Sequence, residues 1–282
     1  MVDANPNQDQ EDFWSKKPGL TWSENDGIMD STLAPVLDHL LEIAALQPGE
    51  TVLDIGCGTG LSTLKAAEAV APGGRSVGAD IAEQMLVKAR SQAAGLSNVD
   101  FLRADAQTHS FEDAAFDAVI SRFGVMFFAD PAAAFANIAR AVKPGGRMVF
   151  MTWSSIMENP WFMVPRDVAI DRLGAVEPTP PNAPGPMGLA DREYTADLFS
   201  KAGITDVRIS PVKMDLTPPG TADWMGEFAL TLGPASRIFA EKEGTDEDAK
   251  AIIGGVAAQY RMYETDVGLR IPAVLNRVEV RV

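Results

Sequence analysis

The sequence predicts an α/β protein: a mostly parallel sheet with helices on both faces. Two observations carry that expectation. Between Thr51 and Trp153, short apolar segments that suit strands alternate with longer segments of helical periodicity, joined by short turns. Strands joined through helices run parallel, and their sheet is covered on both sides. The stretch "TVLDIGCGTGLST", Thr51 to Thr63, also runs from an apolar segment through three alternate glycines into a helix pattern. Backbone freedom between a strand and a helix lets a ligand come close to the chain.

The elements follow in order. Met1 to Asp12 is polar and is expected to fray. Asp30 to Leu46 repeats apolar positions at helical spacing, and "QPGE" then breaks the chain. "TVLDIG" reads as a strand, "LSTLKAAEAVA" as a helix, "RSVGAD" as a strand and "IAEQMLVKARSQAA" as a helix. "VDFLRAD" and "FDAVISR" read as strands, "PAAAFANIARAV" as a helix and "GRMVFMTW" as a strand. After Trp153 the pattern changes. Glu177 to Pro186, "EPTPPNAPGP", is proline-rich and reads as a surface loop or a semi-rigid lid. "ADREYTADLFSKAG" is helical, "ITDVRIS" a strand, Thr221 to Thr265 mostly helical, and "IPAVLNRVEVRV" alternates as a strand.

Composition narrows the function. The 282 residues carry a net charge of −15, and no basic stripe is present to neutralise phosphates. Nucleic-acid binding is therefore not expected. One cysteine and two histidines exclude an intrachain disulfide and a Cys/His metal cluster, and no metal is expected. The first residues lack the basic start and apolar core of a signal peptide. No apolar run approaches a membrane span, so neither a membrane nor a compartment other than the cytoplasm is expected. A homodimer is left open.

The glycine turn departs from a dinucleotide fingerprint, which needs G-x-G-x-x-G. Here Leu61 stands where the third glycine belongs, and the pattern is Asp54-x-Gly56-x-Gly58-x-Gly60. A carboxylate at the strand end is a poor neighbour for a pyrophosphate and a good one for an ammonium group. Together with "VGADI", "RADA", "FDAVISRFGVMFFADP" and "AVKPGGRMVF", in that order, "VLDIGCGTG" resembles the class I S-adenosylmethionine-dependent methyltransferases. The resemblance covers roughly residues 49–153. It is strongest to the small-molecule branch, methyltransferase type 11, with its ubiquinone/menaquinone-type and natural-product enzymes.

The resemblance implies a Rossmann-like sheet of seven strands, the last two forming an antiparallel pair at one edge. It implies S-adenosylmethionine as cofactor. Asp54 would attract the ammonium, Asp80 would accept from the ribose hydroxyls, and Asp105 with the N–H of Ala106 would hold the adenine. Gly56, Cys57, Gly58, Gly60, Ile81, Met85, Ser121, Arg122 and Trp22 complete the expected cofactor site. Phe123, Met126 and Trp161 are candidates for the acceptor, although core packing explains such residues equally well. Aromatic faces suit a methylsulfonium, which singles out Trp22 and Trp161. Cys57 has no histidine placed to activate it and reads as a small turn residue. His39 and His109 read as structural. Arg122 is open to three readings: it pairs with a nearby carboxylate, it holds an acidic group on the acceptor, or it is a solvated strand end.

The chain then divides into an N-terminal cap at 1–47, a cofactor-binding core at 48–154 and the rest of the sheet at 155–282. A helical insertion at about 221–265 is expected to cap the acceptor. The expected reaction is methyl transfer to a small organic acceptor by in-line displacement, with Glu158 and Glu24 as candidate bases. A nicotinamide-dependent oxidoreductase and a non-catalytic cofactor-binding protein are the alternatives.

Overall fold

The computed structural model describes residues 6–282. Helices α1 (Gln8–Trp14), α2 (Lys17–Glu24), α3 (Asp26–Thr32) and α4 (Ala34–Ala44) precede the sheet. Then come β1 (Thr51–Ile55), α5 (Leu61–Ala69), β2 (Arg75–Asp80), α6 (Glu83–Gln92), β3 (Val99–Arg103), β4 (Phe116–Arg122), α7 (Pro131–Ala141) and β5 (Val142–Trp153). The remainder holds α8 (Pro160–Leu173), α9 (Arg192–Lys201), β6 (Val207–Leu216), α10 (Ala222–Phe228), α11 (Pro234–Glu241) and α12 (Asp246–Tyr260). A short hairpin, β7 (Glu264–Thr265) with β8 (Gly268–Leu269), leads into β9 (Ile271–Arg281).

Seven strands form one sheet in the order β3-β2-β1-β4-β5-β9-β6. The first five are parallel, and β9 runs antiparallel between β5 and β6. Neighbouring strands from β3 to β5 all point the same way. The carboxyl ends of β1 to β4 therefore line up along one edge, where open α/β sheets bind ligands. The core lies on both faces. Val52, Leu53, Ala118, Val119 and Ile120 are buried in the central strands, and Phe135 of α7 stacks on Phe150 of β5 and on Phe199 of α9.

Three expectations change. The helix expected over Asp30 to Leu46 is two helices, because Pro35 sits in the first turn of α4 and its ring cannot continue the helix from α3. The segment expected to fray is helical from Gln8, and Asn7 is buried; Met1 to Asn5 lie outside the described residues. Helices α2 and α8 have no counterpart in the sequence reading. The mean apolar pattern of α8 is weak because Pro165 and two charged residues, Arg166 and Asp167, interrupt it.

Candidate functional site

The turn after β1 is built by left-handed backbone. Gly56 has φ +66° and Gly58 φ +56°. At Gly56 a Cβ would stand 2.5 Å from the Cα of Gly124, so this glycine lets the ends of β1 and β4 touch. At Gly58 a Cβ would meet nothing within 4 Å, so its open side faces free space. Gly60 serves packing instead: a Cβ there would lie 2.9 Å from Ala89 and from Phe101.

Asp54 sits on β1 and is wholly buried. Its Oδ2 accepts from Ser62 Oγ at 2.6 Å and Thr63 Oγ1 at 2.7 Å, the two hydroxyls that open α5. Its Oδ1 is buried and has no hydrogen-bond partner among the described residues. Burial pushes its pKa up to about 6, against the two hydroxyls and the nearby Arg122 charge. Arg122, at the end of β4, donates from Nη2 to Asp30 Oδ1 of α3 at 2.6 Å. Its Nη1 is also buried without a partner. An acceptor lacking a donor and a donor lacking an acceptor thus stand at the ends of neighbouring strands.

Asp80 closes the turn from β2. Its carboxylate accepts from the backbone N–H of Gly58 at 2.8 Å and of Ala82 at 2.9 Å. Burial still raises its pKa. Asp105, past β3, accepts from the N–H of Gln107 and the hydroxyl of Thr108, and from the side chain of Asn7. Ala106 is buried, and its carbonyl accepts from Asn137. Ser121 spends its hydroxyl on the carbonyl of Ile55 at 2.7 Å, which ties β4 to β1. Met85 is buried on α6, Ile81 is half-buried, and the Cys57 thiol is buried with its pKa pushed well up, chiefly by desolvation. That thiol is no nucleophile.

The aromatic candidates are mostly packed. Phe123 takes a left-handed φ of +72° and stacks on Trp153 with centroids 4.7 Å apart, and Trp153 meets Phe162 edge-on. Met126 is buried, and its carbonyl accepts from Gly185, which docks the proline-rich loop on the turn after β4. Trp22 is half-buried and lies edge-on to Trp14, which in turn meets Phe127. Trp161 is half-buried on α8. The two carboxylates taken as candidate bases are both exposed: Glu24 on α2, and Glu158 after β5, where it accepts from Ser154 Oγ. Both face solvent rather than a closed pocket that could hold an acceptor against them, which counts against that role. His39 lies on α4 beside Glu42, and His109 packs on Phe111.

Sequence reasoning missed Asp30, Ser62, Thr63, Gly124 and Asn7. The paired hydroxyls at Ser62 and Thr63 were a visible signal, since two polar residues open a helix whose first turn is buried. Among the described residues, no three His, Cys, Asp or Glu side chains gather as metal ligands, and no helix is long and apolar enough to cross a membrane.

Residues 53–150 match the model of a methyltransferase domain. Nocamycin O-methyltransferase of Saccharothrix syringae is 32% identical over 216 residues, covering 71% of this chain and 76% of that protein. The chain belongs to the class I S-adenosylmethionine-dependent methyltransferases. This methyltransferase is also 37% identical over 152 residues to a demethylmenaquinone methyltransferase of Clavibacter sepedonicus, covering 50% of this chain and 61% of that one. Its fold is shared with the [4+2]-cyclase SpnF, at a TM-score of 0.53 and 19% identity, over 94% of this chain and 95% of that chain. The methyltransferase is an enzyme that uses S-adenosylmethionine and transfers its methyl group to a small molecule. The nicotinamide alternative falls with that membership. The site fits the cofactor: the unpartnered Asp54 Oδ1 and Arg122 Nη1 supply the acceptor and donor that an amino-acid end group requires.

Proposed function

We propose that the cradle at the carboxyl ends of β1 to β4 holds S-adenosylmethionine and presents its methyl group to an apolar acceptor that is nucleophilic in its own right. The observation that carries this is the pair of buried, unpartnered polar atoms on Asp54 and Arg122. Leaving such atoms unsatisfied costs roughly 1–3 kcal/mol each, and more where charge is involved, so a ligand that meets both is strongly favoured. Asp54 would take the ammonium and Arg122 the carboxylate of the methionine end. Asp80 accepts from two backbone N–H groups, which leaves about two of a carboxylate's roughly four lone-pair sites for the ribose hydroxyls. Asp105 and Ala106 would hold the adenine, and Gly58 would let it lie against the backbone.

When bound, the cofactor supplies a methyl carbon activated by the sulfonium, with a neutral thioether as leaving group. The protein's part is to align and to exclude water. Phe123, Met126, Trp153 and Phe162 form an apolar wall past β4 and β5, consistent with an acceptor of low polarity. The exposure of Glu24 and Glu158 supports an acceptor that needs no enzyme base, such as an ionised enol or phenol. The net charge of −15 speaks against a nucleic-acid acceptor.

Two measurements test this reading. Titration calorimetry with S-adenosylhomocysteine should show Asp80→Ala binding at least roughly tenfold more weakly, since a hydrogen bond to a charged group is worth about 1.5–3 kcal/mol. Labelled methyl groups should pass to apolar phenols and enols in a small-molecule panel. Transfer only to RNA or peptide would overturn the acceptor assignment, and unchanged affinity in folded Asp80→Ala would remove Asp80 from the ribose subsite.

A further inference from the structure

We propose that Asn7 is a chain-borne competitor for the adenine subsite, so that the cofactor must displace it from Asp105 to bind. The proposal rests on the assignment of Asp105 to the adenine amino group.

Asn7 is 3% exposed. Its Nδ2 donates to Asp105 Oδ1 and Oδ2, both at 2.9 Å, and to Gln107 Oε1 at 3.0 Å. Its Oδ1 accepts from the N–H of Ala129 at 2.7 Å. One side chain thus bonds to residues 98, 100 and 122 positions away. The segment that follows is fastened along the same edge. Glu11 pairs with Arg103 at the end of β3, Gln84 donates to the Trp14 carbonyl, and Trp14 packs edge-on against Phe127. Residues 7–14 therefore lie across the carboxyl ends of β3 and β4, over the adenine side of the cradle.

The decisive feature is what faces Asp105. On Asp105, Oδ1 accepts from Gln107 N–H and Oδ2 from Thr108 Oγ1, and the Asn7 amide nitrogen stands 2.9 Å from both oxygens. Asn7 thus closes the open mouth of the carboxylate, the approach a further donor would use. Asp80, which accepts from two backbone N–H groups, has no such side-chain plug among the described residues. Gln107 and Thr108 belong to the turn that carries Asp105 and are fixed there by sequence; Asn7 is the donor that can leave. Its carboxamide also presents an N–H donor beside an acceptor, the same pairing that the amino edge of adenine presents. An adenine amino group and Asn7 cannot both stand at the position that faces the two Asp105 oxygens.

If binding requires the Asn7 contact to open, the apparent affinity is lowered by the fraction of molecules that are open. Asn7→Ala should then tighten binding of S-adenosylhomocysteine by about three- to tenfold in calorimetry, because the competing contact is gone. In an Asp105→Asn background, Asn7→Ala should bring no gain. In the unaltered protein, amides of α1 (Gln8–Trp14) should exchange hydrogen faster with S-adenosylhomocysteine bound than without it. This last readout needs no variant to fold. Weaker binding in Asn7→Ala, or slower exchange of α1 in the complex, would overturn the proposal and make Asn7 a member of the bound site. Unchanged affinity in Asn7→Ala, with Asp105→Asn weakened, would also overturn it while leaving the adenine assignment intact. Asp105→Asn without effect in either background would remove that assignment, and the proposal with it.

Discussion

Replacing Asp54 by asparagine isolates the cost of a buried carboxylate from its use. The amide keeps the shape, and its oxygen can still accept from Ser62 and Thr63. What it loses is the charge. Burial raises the Asp54 pKa from 3.8 to about 6, so the folded protein holds this proton more tightly than the unfolded chain does. Stability from this group therefore falls as pH rises between 3.8 and about 6, and stays low above it. That shift corresponds to about 3 kcal/mol at most by pH 8. Ligand-free Asp54→Asn should accordingly be more stable than the unaltered protein at pH 8, by as much as about 3 kcal/mol, and the gap should narrow by about 1 kcal/mol at pH 5.5, where much of Asp54 is protonated. Urea unfolding followed by tryptophan fluorescence at both pH values measures it. Calorimetry should show the opposite sign for function: affinity for S-adenosylhomocysteine should fall at least roughly tenfold, because the ammonium loses its counter-charge. A variant less stable than the unaltered protein at pH 8, with a gap that ignores pH, would refute the reasoning. The carboxylate would then be held by the Arg122 charge rather than penalised by burial.

Two further outcomes are expected. Gly58→Ala points its methyl into open space and should bear only the strain of a left-handed residue, roughly 1–2 kcal/mol, while losing most cofactor affinity; Gly56→Ala should cost far more stability, since its methyl meets the Gly124 backbone. Thermal melts and calorimetry on the pair check this, and normal binding by Gly58→Ala would reduce the turn to a connection. Arg122→Lys cannot span both Asp30 and the cofactor's carboxylate, so melting temperature and cofactor affinity should fall together; a variant normal in both would withdraw Arg122 from the site.

The sheet was legible in the sequence because each strand and helix announces itself locally. Apolar runs such as "VLDI", broken by glycine and followed by helical spacing, need no knowledge of distant residues. Asp54, Asp80 and Asp105 could be placed for the same reason: each ends or follows a strand. The long-range partners around the site were not legible. Arg122 finds Asp30 across 92 positions, and Asn7 finds Asp105 across 98, through packing of the N-terminal helices that leaves no periodic trace. The strongly polar opening of the chain suggested fraying, yet the buried Asn7 makes several of the contacts that fasten it. Apolar residues beside a strand end carry no local mark that separates packing from ligand contact, and the structure buries Phe123 and Met126 at the border of the core.

The strand latest in sequence has a consequence for how the protein is made. β9 (Ile271–Arg281) lies between β5 and β6 and hydrogen-bonds to both. Until it arrives, β5 has one open edge and β6 has no partner at all in the sheet. As the chain leaves the ribosome, the half that carries the cofactor turn can assemble, but it must wait with one edge of an apolar strand, "RMVFMTW", unpaired at its border. That border can be captured by another chain as readily as by β9. Assembly of this sheet therefore depends on contacts between residues more than 100 positions apart, which slows folding and makes the wait the most aggregation-exposed stage of synthesis.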